Sequence, residues 1–403
     1  MKSATKKGIQ SVGISIGVGI VVGIGVTIVF AAGFFLRGLV AMPPAFALAE
    51  QNGDAQYELL DEVQALLNHH FLREQPDYTQ RQYAAIRGVL TSLGDRYTFF
   101  IEPPVAQSES DALAGTYGGI GVQLSRNEAG EIELYPFDDG PALQAGVDDG
   151  DVLIAINGDA LDSDLQQDVV DQLLRGEVKE GSGVTITIRK TTGETQTLFI
   201  EFAVINVPSV VWRVLPEAEE IGYVQIMRFT SRTPVELAEA MAALEAAEIS
   251  GLILDLRNNT GGLLQEAVDV ADAFLDGVTV VVERSQDRER VFEAESGGIA
   301  TAYPLVVLVN HTTASASELV AGAIQDHGRG VLIGQRTFGK GTVQQIFRLS
   351  DQSSIHITSS EWFTPNGNQI DGNGLIPDIE MIPDENGRDV ELGEAIRHLQ
   401  AES

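Results

Sequence analysis

The chain of 403 residues has no cysteine and few cations. Without cysteine there are no disulfides and no thiolate metal sites, and the redox compartment stays open. Lys and Arg number 26 against 58 Asp and Glu, a formal net charge of -32. A surface so short of positive charge repels nucleic-acid backbones, so no nucleic-acid partner is expected. The six histidines are scattered and show no HExxH or similar spacing, so neither a metal nor a cofactor is expected.

Past its first lysines the N-terminal stretch lacks charge altogether. Between Lys7 and Arg37 lie 29 uncharged residues rich in Ile, Val, Gly and Phe. A bilayer needs roughly 20 apolar residues, so this run is long enough to cross one as a tilted helix. A cleaved signal peptide is the rival, with Ala47-Leu48-Ala49 as its A-x-A site, but signal cores typically run about 7–15 residues. Lys2, Lys6 and Lys7 precede the span and the chain beyond it is acidic. The positive-inside rule then expects a single-pass membrane protein with a cytoplasmic N-terminus and the rest outside the cytoplasm, periplasmic or extracellular. Gly13/Gly17 and Gly19/Gly23 fit G-x-x-x-G, a weak signal for helix pairing.

Residues 1–40 thus read as cytoplasmic tip and anchor, and 41–56 as a linker marked by Pro43-Pro44 and Gln51-Asn52-Gly53-Asp54. Over 57–105 the pattern is helical, with Leu59, Leu60, Val63, Leu66 and Leu67, then Tyr83, Ile86, Val89 and Leu93, at 3–4-residue spacing. This predicts a pair of packing helices, and a surface for a homodimer. From 106 to 205 short β-rich runs appear (Ile120–Leu124, Ile132–Tyr135, Val152–Ile156, Val184–Ile188, Thr197–Val204), punctuated by glycine turns. One helical stretch, Gln166–Leu174, interrupts them. From 206 to 390 the texture is α/β: helices at Pro234–Ala247, Leu263–Phe274 and Ala316–Gln325 alternate with strands such as Gly251–Leu256. The run Leu305–Val309 has the character of a strand buried on both faces. Residues 391–403 read as a C-terminal tail.

Three segments carry candidate chemistry. Ser315-Ala316-Ser317-Glu318 fits the S-x-x-E capping box, which by itself predicts an ordinary helix start. A serine at a helix N-terminus between Ala314 and Ala316 is equally a place for a nucleophile, since N–H groups and the helix dipole stabilise an oxyanion there. Lys340 lies between Gly339 and Gly341. Gly334-x-x-x-x-Gly339-Lys340 begins like a phosphate-binding loop, but Gly341 stands where Ser or Thr should be and a strand-like run follows. The remaining readings are an exposed turn lysine or a desolvated general base with Gln344 beside it. Asp255-Leu256-Arg257-Asn258-Asn259-Thr260-Gly261-Gly262 reads as a strand–turn–helix junction, or as the source of an oxyanion-hole N–H at Gly261 paired with that of Ala316. His311, His327 and His356 leave a Ser-His-Asp triad open, although Asp326 and His327 are adjacent and diverge on a helix.

Together these segments resemble the carboxyl-terminal processing peptidases, or tail-specific proteases, of family S41. The resemblance runs from about Glu58 to Glu380 and includes Leu93-Gly94-Asp95-Arg96-Tyr97-Thr98, Gly118-Gly119-Ile120-Gly121-Val122, the Asp255–Gly262 run, Ser315–Glu318 and Thr337–Gln344. It implies a crotonase-like α/β peptidase core with an inserted PDZ domain. It also implies a serine endopeptidase in which Ser315 is nucleophile, Lys340 general base and Gln344 its support, with Asp326 supporting. Thr313 and Thr260 are small departures that remove no reactive group. The β-rich module is similar to a PDZ domain, with Gly118, Gly119, Ile120 and Gly121 as the carboxylate-binding loop and Arg175 as a ligand-sensing arginine. The implied partners are proteins with unstructured C-termini. A non-catalytic PDZ scaffold is the competing expectation, with intact Ser315 and Lys340 against it.

Overall fold

A computed structural model describes residues 57–127, 129–161, 165, 167–384 and 387–402. The expected membrane span, with its glycine pairs, and the linker lie outside the described residues. Among the described residues no helix is long and apolar enough to cross a membrane.

The described residues form two units, one from 57 to Gln82 with Phe347–Leu349, the other Tyr83–Ile346 with Ser350 onward. In the first, helix Glu58–His70 has Glu58 and Asp61 in its first turn and His69 and His70 in its last, in keeping with the helix dipole. It buries no residue: Leu59 is 77% exposed and Leu66 53%. The expected apolar packing of two helices is therefore absent within this unit. Arg81 draws its neighbours together instead, donating to Gln64 Oε1 (2.7 Å), Asn68 Oδ1 (3.0 Å) and Gln75 Oε1 (2.7 Å).

The second unit is built on a six-stranded sheet in the order Val210–Leu215, Ala218–Ile226, Gly251–Asp255, Leu305–Val309, Val331–Gly334, Ile379–Glu380. Its first pair is an antiparallel hairpin and every later pairing is parallel. Every residue of Gly251–Asp255 and Leu305–Val309 is buried, as expected for parallel strands covered on both sides. One face packs against helices Thr233–Ala246, Leu264–Phe274 and Ala316–Asp326, with Phe229 and Phe274 fully buried in that core. The other face is covered by Leu392, Ala395 and Leu399 of a helix at Val390–Glu402. The expected C-terminal tail is thus a packed helix, whose apolar residues recur every three to four positions over a span too short to stand out.

A second, antiparallel sheet brings together Phe99–Ile101, Ser354–Phe363, Thr279–Arg284 and Glu289–Glu293, with Thr342–Arg348 on Ser354–Phe363. The stretch expected to be helical over 57–105 therefore contains a strand, after which helix Pro103–Ala114 begins. The β-rich stretch forms its own antiparallel sheet, Val122–Arg126, Ile132–Pro136, Asp151–Ile156, Gly183–Arg189, Thr195–Glu201, around a separate apolar core that includes Leu134 and Ile186. The single strand expected at Thr197–Val204 breaks at Phe202. Its second half, Ala203–Asn206, pairs with Thr116–Gly119 in another sheet.

Candidate active site

Strand Leu305–Val309 delivers the chain to a tight turn, Asn310–Ser315, before helix Ala316–Asp326. Polar side chains stitch this turn in place. Thr313 Oγ1 donates to the Leu256 carbonyl (2.9 Å), Ser317 Oγ to the Asn259 carbonyl (3.0 Å), and the Ala314 N–H to the same Asn259 carbonyl (3.0 Å). Thr313, Ser317 and Asn259 are fully buried, so each bond satisfies groups that no water reaches. Ser315 itself has φ 57° and ψ -120°, a conformation that a residue with a Cβ rarely adopts. Such backbone costs on the order of 1–3 kcal/mol and persists only where its surroundings enforce it.

Glu318 does the enforcing. Its carboxylate, fully buried, accepts the Ser315 N–H (2.9 Å) and, on the same oxygen, the Lys340 N–H (2.9 Å). The other oxygen accepts the Gly339 N–H (2.7 Å) and the Thr337 hydroxyl. Burial pushes its pKa up, against these four donated bonds that pull it down. The two 2.9 Å bonds hold the main-chain nitrogens of Ser315 and Lys340 within twice that distance of each other. The capping box read from the sequence thus couples two loops rather than merely starting a helix. Gly339, at φ 87°, leaves no room for a side chain against the Gly374 nitrogen. Thr342–Arg348 is a strand, so no helix N-terminus follows Lys340.

Ser315 and Lys340 border one cavity of about 240 Å³, together with Ala316, Gly262, Gln344 and Arg228. Lys340 Nζ donates to Gln344 Oε1 (2.7 Å) and lies 5.4 Å from the centre of the Tyr97 ring. The Gln344 amide in turn donates to the Tyr97 carbonyl, which fixes which end of the amide faces the lysine. Burial holds the Lys340 pKa below its ordinary 10.5, with Glu109 acting weakly the other way. Glu109 borders the same cavity and is bonded to His356 Nε2 at 2.8 Å.

Other expected residues lie elsewhere. The Gly261 N–H already donates to Asn259 Oδ1 (2.9 Å), so it is not the free donor expected. Gly261, at φ 103°, lies where a Cβ would come within 2.8 Å of the Ser315 Cβ, so its service is close approach. Gly262 bridges Phe229 in parallel fashion: Phe229 N–H reaches the Gly261 carbonyl (3.1 Å) and Leu263 N–H reaches the Phe229 carbonyl (2.9 Å). That pattern turns the Gly262 N–H to the opposite side. Asp326 is not at the cavity. It accepts the Asn366 N–H (2.8 Å), because the helix carries it a full three turns beyond Ser315. His327 bonds the Thr279 carbonyl (2.6 Å) and His311 the Gln335 amide, so no Ser315–His327–Asp326 triad is assembled. Gly118 and Gly119 end a strand paired with Ala203–Asn206, and Ile120 is buried. Arg175 pairs with Asp171 and lies 4.1 Å over the Tyr117 ring, bordering a second cavity of about 300 Å³.

Sequence reasoning does not find Glu318 as a clamp, Tyr97 as the anchor of Gln344, or Glu109 and His356 at the cavity. Asp255 and Arg257 also prove to be a brace. Arg257 bonds the buried Asp255 (2.6 Å) and Asp389 (2.7 Å), tying the turn beside Ser315 to the residue preceding the last helix.

Residues 220–381 match Peptidase family S41. A carboxy-terminal-processing protease of Bartonella bacilliformis is 34% identical over 382 residues, covering 91% of this chain and 86% of its own. The carboxy-terminal processing protease CtpB of Bacillus subtilis is 32% identical over 346 residues, covering 85% and 71%. Among solved structures, a photosystem II D1 C-terminal processing protease is 31% identical, covers 86% of this chain and 92% of its own, and superposes with a TM-score of 0.49.

Proposed function

The chain belongs to the carboxyl-terminal processing proteases of peptidase family S41, and from that premise we propose that Ser315 and Lys340 form a catalytic dyad cutting proteins near their C-termini. The observation that carries the reading is the shared Glu318 oxygen, which locks the two loops so that both side chains border one cavity. Neutral Lys340 takes the Ser315 hydroxyl proton as Oγ attacks the scissile carbonyl, help worth roughly 10²–10⁴ in rate. Ala316 begins its helix, so its N–H has no partner within that helix. With the Gly262 N–H it forms the oxyanion hole, each donor worth about 3 kcal/mol. Protonated Lys340 returns the proton to the leaving amine, and water then hydrolyses the acyl-enzyme.

The finer architecture we propose is a crotonase-like core carrying an inserted PDZ domain. Supporting it, strand Val122–Arg126 is at a sheet edge with helix Gln167–Leu173 near it, where Gln167 Nε2 donates to the Leu124 carbonyl (2.9 Å). An incoming C-terminus would add as a strand there and displace that amide. The uncharged run after Lys7 supports an anchor with the catalytic part outside the cytoplasm.

The test incubates the full chain with an unstructured protein bearing a C-terminal tag. Wild type should cleave it; Ser315→Ala and Lys340→Ala should each lose about 10³-fold or more. His356→Asn should retain cleavage. Undiminished activity in Lys340→Ala, with loss in His356→Asn, would instead assign the base to the histidine held by Glu109.

A further inference from the structure

Arg228 carries a guanidinium to which the structure gives no partner. Its Nε is buried without a hydrogen bond, and the side chain joins no ion pair among the described residues. The acids bordering the same cavities are committed elsewhere. Glu109 is held by His356 (2.8 Å), and Asp111 accepts the Gln107 amide (2.7 Å). An unpaired cation is an odd choice in a chain of net charge -32, where carboxylates are plentiful. Leaving it unpaired wastes a donor fork suited to bidentate carboxylate binding.

Its place in the chain says where that carboxylate would come from. The next residue, Phe229, is fully buried and bridges Gly262, the glycine bordering the Ser315 cavity. Phe229 is turned into the core, whereas the Arg228 side chain is only half-buried and faces open space. It borders the catalytic cavity and also the 300 Å³ cavity that Arg175 and Tyr117 line. Arg228 is the lining residue the two cavities share, so a peptide spanning both would run beside it. We propose that Arg228 is a carboxylate-binding subsite for the substrate, joining the catalytic cavity to the second one. The carboxylate belongs either to an acidic side chain beside the scissile bond or to the C-terminus of a short tail. This rests on the reading of Ser315 and Lys340 as the cleaving pair.

The experiment uses the full chain and matched peptides. One set carries Glu or Gln at each of two positions on either side of the cleaved bond; the other ends in a free acid or an amide. Wild type should prefer one charged member by roughly tenfold or more in kcat/KM. Preference within the first set identifies a side chain, within the second a terminus. Arg228→Gln should bring that ratio to about one; Arg228→Met, similar in length and uncharged, repeats the test if the glutamine variant does not fold. A wild-type ratio near one in every pair, or a ratio that survives both variants, overturns the subsite. If wild type cuts none of the peptides, the dyad reading fails on its own. The subsite is then read from calorimetric binding of the same pairs to Ser315→Ala, where equal affinities overturn it and a charge preference abolished by Arg228→Gln upholds it.

Discussion

The corner that carries Ser315 and the β-rich module between Thr116 and Asn206 are built on opposite plans. In the module the buried groups are almost all apolar. Among its described residues Asp151 is the buried acid, and Lys190 meets it at 2.7 Å. Hairpins and turn glycines satisfy the backbone there. Around Ser315 the reverse holds: Asp255, Asn259, Thr313, Ser317, Glu318 and Thr337 are buried polar residues that hold irregular loops. Burying a polar group is unfavourable unless it is bonded, so such a concentration is kept only where backbone must adopt a shape that regular structure does not supply. The strained Ser315 and the loop of Lys340 are that shape.

The sharpest way to break the comparison is Glu318→Ala. It strands the N–H groups of Ser315, Gly339 and Lys340, at about 1–3 kcal/mol for each buried donor left unmet. We expect kcat to fall about 10²-fold and the melting temperature to drop; thermal melts beside peptide assays check both. Leu134→Ala, deep in the module, should cost about 2–5 kcal/mol of stability. It should leave kcat on a short peptide within about twofold, since nothing at the cavity is touched. If Leu134→Ala lowers kcat as far as Glu318→Ala does, the two regions are not the separate constructions described.

Smaller effects concern protons. Glu109 favours the charged form of Lys340, so Glu109→Gln should move the acidic limb of kcat/KM to lower pH. Stability follows a related sign. The Lys340 pKa is lower folded than unfolded, so the unfolded chain binds more protons between the two values. Stability therefore rises with pH across that interval, up to about 10.5. Below that interval the buried ammonium is a burden, so there Lys340→Met should raise the melting temperature while abolishing cleavage.

Much of the corner around Ser315 is legible in the sequence because its pieces are local. Ser315 and Glu318 share one turn, and Lys340 and Gln344 are four residues apart on one strand entry. What stays hidden depends on contacts far apart in the chain: Glu318 reaching Thr337, Tyr97 reaching Gln344, Glu109 reaching His356. Asp326 falls away from the site for a simpler reason: eleven residues of helix carry it three turns along the axis from Ser315. Gly261 and Gly262 differ only in which N–H a neighbouring Asn259 has already claimed, and no local pattern reports that.

The most direct test is titration of the Lys340 amine itself, followed by the NMR shift of its labelled side-chain carbon in the full chain, with Lys340→Met to assign the signal. The account predicts a midpoint below the ordinary lysine value of 10.5. A midpoint at or above that value would mean an ammonium with no power to accept the serine proton, and would contradict the dyad.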